Sequence, residues 1–75
     1  MNQEFEYFIG QNIRSIRETR GLTQEQLTAQ LQTRGCDVMR SALAKIEVGQ
    51  RHIYPDELKL LKDILGISYE DLFLQ

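Results

Sequence analysis

The sequence has no tryptophan and only one cysteine, one proline and one histidine. Cys36 alone cannot form a disulfide within the chain. It also lacks a Cys or His partner at zinc-ligand spacing, so no metal site is expected. His52 has no Ser, Cys or Asp partner at a recognisable offset, and no glycine-rich phosphate loop is present. The acids at 56–57 and 70–71 read as charges at helix N-termini, not as a working carboxylate pair. Catalysis and cofactor binding are therefore not expected, and the chain reads as no enzyme. No apolar run approaches the roughly 20 residues that span a bilayer. The first ten residues, MNQEFEYFIG, carry acids and lack the basic start of a signal peptide. With an unremarkable free thiol, these absences point away from the membrane and towards the cytoplasm.

What remains is 75 residues, the length of one domain spanning 1–75. A chain this short buries only about 60% of its unfolded surface, so its core must be well made. An apolar content of 41% supplies that core, and 27% charged residues favour solubility over disorder. The net charge of −2 is unevenly spread. Residues 11–52 hold seven Lys/Arg against four Asp/Glu, whereas both ends are acidic. This pattern fits a basic docking face on an acidic body, or ordinary scatter of surface charge.

Glycine and proline punctuate a series of short helices, with no repeat, linker or low-complexity stretch. Phe5, Ile9, Ile13 and Ile16, with Phe8 beside them, form one amphipathic face that stops at Gly21. Thr23 followed by Gln26 predicts a capping box, with Leu22 and Leu27 spaced as its hydrophobic staple. A second helix then runs to about Gln32 with Leu27 and Leu31 inward. Thr33 to Met39 reads as a turn around Gly35. A third helix follows to about Val48, with Leu43 and Ile46 inward and Gly49 as its stop. Met39 falls at the start of this helix, and Asp37 is the alternative cap. Pro55 suits the first position of a fourth helix whose stripe is Leu58, Leu61, Ile64 and Leu65. Ser68 and Asp71 predict the box of a short fifth helix. Nothing alternates with period two, so no sheet is expected.

The residues at particular offsets narrow this pattern. Ile9-Gly10, then Gly21-Leu22-Thr23-Gln24-Glu25-Gln26-Leu27, then Ser41 to Lys45-Ile46-Glu47-Val48-Gly49, resemble the lambda-repressor-like (XRE-type) helix-turn-helix family over roughly residues 5–73. The resemblance implies an all-α, compact five-helix bundle whose second and third helices form the helix-turn-helix unit. It implies that the third helix enters the major groove of double-stranded DNA, where side chains read base edges. It also implies a pairing of Arg17 with Glu47. About four or five more residues lie between Leu31 and Ser41 than the family's short turn holds. They predict a longer loop turning at Gly35, or a lengthened helix, with Val38 tucked under the core.

Under this resemblance Arg40 is a candidate to grip guanine O6 and N7 with two hydrogen bonds, and Lys45 to contact a base or a phosphate; the alternative for both is a solvated basic face. Ser41 could bond a base or phosphate, and Ala42 could touch a thymine methyl or serve packing. Thr23 and Gln24 stand at a helix N-terminus, where free N–H groups favour a phosphate. Arg51 and His52 could bind phosphate just past the third helix, and Arg34 could do so from the enlarged turn. The implied function is sequence-specific DNA binding by a transcriptional regulator, a repressor acting as a homodimer on DNA. The alternative is an antitoxin-type or partner-binding regulator that uses the same scaffold for protein–protein contact.

Overall fold

The periodicity of Phe5, Ile9, Ile13 and Ile16 produces α1, Gln3–Thr19, which buries Ile9 and Ile13 against the other helices. The computed structural model describes residues 3–74; positions 1, 2 and 75 of the expected domain lie outside the described residues. α2 spans Gln24–Thr33, and its start is the expected capping box. Thr23 Oγ1 accepts from the Gln26 amide at 3.0 Å while the Gln26 side chain accepts from the Thr23 amide at 2.8 Å. α3 spans Arg40–Glu47, α4 Pro55–Leu65 and α5 Tyr69–Phe73. At α5 the same reciprocal arrangement joins Ser68 and Asp71. No strand forms among the described residues.

The extra residues between α2 and α3 are absorbed in two ways. α2 continues to Thr33, and Gly35 then turns the chain with φ +82°, a conformation that side-chain-bearing residues rarely adopt. The Gly35 amide donates to the Gln32 carbonyl and the Cys36 amide to the Leu31 carbonyl, which together close the helix end. Cys36 and Val38 alternate inward from this turn and are buried, while Asp37 between them faces solvent. Asp37 does not cap α3: the capping position is Met39, which offers no side-chain acceptor. The strict in–out alternation of residues 36–38 aims Asp37 outward, and a methionine fills the place where a small polar residue would stabilise the helix.

Leu27, Leu31, Leu43, Ile46, Leu61, Leu65 and Leu72 complete the core with Ile13, each almost wholly buried. Two polar ties close the bundle. Asn12 Nδ2 donates to the carbonyls of Leu72 and Leu74, at 2.7 and 2.6 Å, holding α5 against α1. Arg20 Nε donates to the Leu65 carbonyl at 2.6 Å, placing a cation at the negative end of α4. Gly10, inside α1, is where the backbones of α1 and α3 meet. A Cβ there would overlap the Ile46 carbonyl oxygen and come within 3.2 Å of the Glu47 carbonyl carbon. Gln11 Nε2 donates to the Glu47 carbonyl at 2.7 Å beside this contact. The position of α3 is thus set against main chain.

Candidate nucleic-acid interface

α3 divides into two faces. Leu43, Ile46 and Glu47 are buried, at the spacing that places them on one side of a helix. Arg40, Ser41 and Lys45 are exposed, and Ala42 is half-buried against the core. Ser41 and Lys45, four residues apart, share a face; Arg40 lies at its flank. Lys45 has no ion pair among the described residues, so its charge is not neutralised within the chain.

The inner face is anchored by a buried carboxylate. Glu47 accepts from Arg17 twice, Nε to Oε2 at 2.8 Å and Nη2 to Oε1 at 3.1 Å. Arg17 also donates to the Leu22 carbonyl at 2.8 Å, tying in the turn that precedes α2. The bond to Glu47 outweighs the cost of burial, and the Arg17 guanidinium holds its proton more tightly than usual. Glu47 Oε1 takes a further bond from Gln24 Nε2 at 3.0 Å. One N–H of the Gln24 amide is therefore engaged inside the helix-turn-helix unit, and the other has no partner among the described residues. The first turn of α2 keeps backbone N–H groups that no helical carbonyl can reach. Gln24 is thus joined to α3 through Glu47, while Thr23, the residue before it, is engaged with Gln26 in the cap of α2.

A second link crosses the same junction at the surface. Arg40 Nε donates to Glu25 Oε1 at 3.2 Å, so the first residue of α3 rests against the first turn of α2. Arg34 is elsewhere. It caps the far end of α2, exposed and without a side-chain bond among the described residues. At 1.5 Å per residue it lies about 15 Å along the helix from Gln24.

Arg51 and His52 occupy the segment between α3 and α4, and each is held by a carboxylate. Arg51 grips Glu57 with two bonds, Nη1 to Oε1 at 2.8 Å and Nη2 to Oε2 at 3.0 Å. Its guanidinium also sits 5.7 Å from the centre of the Tyr54 ring. The bonds from Arg51, helped by the Tyr54 amide and opposed by burial, hold the Glu57 carboxyl below its ordinary range. His52 Nδ1 lies 2.7 Å from Glu6 Oε1, and the Ile53 amide donates to Glu6 Oε2 at 3.3 Å. Burial works against ionising Glu6, but His52 and the Ile53 amide outweigh it and lower its pKa. These two residues join the loop to α4 and α1, so the structure groups them with the scaffold and not with Arg40, Ser41 and Lys45.

Sequence reasoning missed Glu25, Glu6 and the full role of Glu57. The only local signal was Glu57, three residues after Tyr54, where a helix-start acid accepts from the preceding backbone. Among the described residues no group of His, Cys, Asp and Glu could hold a metal ion, and no helix is long and apolar enough to cross a membrane.

The bundle has relatives. A family model described as "Helix-turn-helix domain" matches residues 10–75. A solved structure described as "Crystal structure of the DNA-binding domain of BldD" aligns with a TM-score of 0.80 at 22% identity, over 99% of this chain and 100% of that one. At that identity the likeness is one of fold. No curated protein matches. With a family match over nearly its whole length, five helices in the expected order among the described residues and α2 and α3 joined by an enlarged turn, the chain belongs to the helix-turn-helix domain family, in its lambda-repressor-like (XRE-type) form.

Proposed function

We propose that the protein is a transcriptional regulator, a repressor acting in the cytoplasm, that inserts α3 into the major groove of double-stranded DNA. The observation that carries this reading is the outer face of α3, where Arg40, Ser41 and Lys45 are exposed while Leu43, Ile46 and Glu47 lock the inner face. An α-helix with its side chains is about 10–12 Å across and fits a groove about 12 Å wide. Arg40 is suited to grip guanine O6 and N7, Lys45 and Ser41 to meet a base or phosphate, and Ala42 to touch a thymine methyl. Thr23 and Gln24 offer a phosphate the N-terminus of α2. Arg34, Arg51 and His52 are outlying phosphate contacts in this reading. Arg51 and His52 would serve while still bound to Glu57 and Glu6. Tyr69, Phe73 and Leu74 are exposed on and just beyond α5, with the two rings 6.2 Å apart, and form the surface for a homodimer on two half-sites.

The test is selection from a random duplex library, followed by anisotropy on selected and scrambled duplexes. Arg40→Ala is expected to lose about 1–3 kcal/mol of discrimination at one base pair. Gln24→Ala should weaken both duplexes alike, because a phosphate contact carries no sequence information. No preferred sequence, or no DNA binding at all, would overturn the reading in favour of a partner-binding regulator on the same scaffold.

A further inference from the structure

Arg40 is not free on the surface of α3. Its Nε donates to Glu25, and the two side chains are 60% and 68% exposed. A pair so open to water contributes under about 1 kcal/mol to folding, so stability gives little reason for it. Glu25 does lie in the first turn of α2, where an acid complements the helix dipole. But that same turn is where a phosphate would approach, and there a carboxylate repels it. The pair leaves Arg40's Nη1 and Nη2 without a partner among the described residues. Those are the groups that can meet guanine O6 and N7 end-on while Nε stays with Glu25.

We propose that Glu25 is a specificity-determining residue of the DNA-binding surface, acting through Arg40. This rests on the reading of α3 given above. On a matching sequence the carboxylate braces the guanidinium from behind as its two outer nitrogens reach the base. On a mismatched sequence Arg40 has only phosphate to contact, and turning towards it sets that anion beside Glu25. The carboxylate therefore penalises non-specific binding more than specific binding, and the difference between the two is what discrimination requires.

The experiment compares wild type, Glu25→Gln, Arg40→Ala and the double variant on a selected and a scrambled duplex across a salt series. Equal urea midpoints for wild type and Glu25→Gln show that the variant is folded. Glu25→Gln is expected to tighten the scrambled duplex about fivefold more than the selected one, the scale of an exposed ion pair. It should also steepen the salt slope on the scrambled duplex by about one, as Arg40 gains a phosphate. In the Arg40→Ala background the same substitution should leave the ratio of the two affinities unchanged. Equal tightening of both duplexes by Glu25→Gln, or a change of ratio that persists without Arg40, overturns the proposal and leaves only general charge repulsion. A wild-type chain that prefers no sequence instead overturns the reading of α3, and this proposal with it.

Discussion

Removing Arg17 is the sharpest test of how the bundle is held. Its side chain is 9% exposed and that of Glu47 2%, and the two share a two-bond contact. Arg17→Ala strands a carboxylate in the interior, a change that costs about 3–5 kcal/mol. Gln24 still donates to Glu47 at 3.0 Å, so the lower end, about 3 kcal/mol, is expected. At roughly 0.05–0.15 kcal/mol per residue, a chain of 75 has only about 4–11 kcal/mol to lose. With a urea slope near 1 kcal/mol/M for so small a domain, the midpoint should fall by about 3 M. The loss should be nearly the same at low and high salt, because a buried pair is little screened. Arg17→Met with Glu47→Leu removes both charges and should recover much of the loss, since an apolar pair of similar volume is often tolerated. An unchanged midpoint in Arg17→Ala would refute the argument that this bridge joins α1 to α3. So would a double variant with losses that simply add.

Two further outcomes follow from the same contacts. Gly10→Ala should cost about 1–3 kcal/mol of stability, read as a lower urea midpoint, because the new methyl meets the Ile46 carbonyl and main chain yields poorly; a midpoint at or above wild type would contradict the close approach. Glu6 and Glu57 both ionise below the ordinary value of 4.5 in the folded chain. As pH falls the unfolded chain takes up protons first, so the stability they contribute is complete above about pH 5 and is lost as pH drops through the lowered folded values. Urea midpoints from pH 6 to pH 3 should fall steeply in wild type and less steeply in Glu57→Gln; equal slopes would remove Glu57 from this account.

The helices were largely legible in the sequence because their signals are local. Thr23 with Gln26, Ser68 with Asp71, Pro55 at a first helical position and Gly35 at a turn each act within a few residues, and each sits where the sequence placed it. The exposure of Arg40, Ser41 and Lys45 also follows from helical period, once Leu43 and Ile46 are inward. The partners of the polar residues were not legible. Glu25 meets Arg40 across 15 positions, Gln24 meets Glu47 across 23, and Glu6 meets His52 across 46. Such pairs are fixed by how helices pack, and no spacing in one helix announces them. Arg17 with Glu47, separated by 30 positions, was anticipated only through the family resemblance.

The contact at Gly10 bears on how such a protein changes over generations. At Gly10, α3 touches α1 backbone to backbone, and at that point no side chain stands between them to swell, shrink or rotate. Substitutions at 40, 41 and 45 therefore alter what α3 displays without altering where it stands. New binding preferences can arise one outward residue at a time, each variant inheriting an intact frame. The cost of that freedom falls on the inward positions: Gly10, Arg17 and Glu47 tolerate little change, so that the outward residues of α3 can tolerate much.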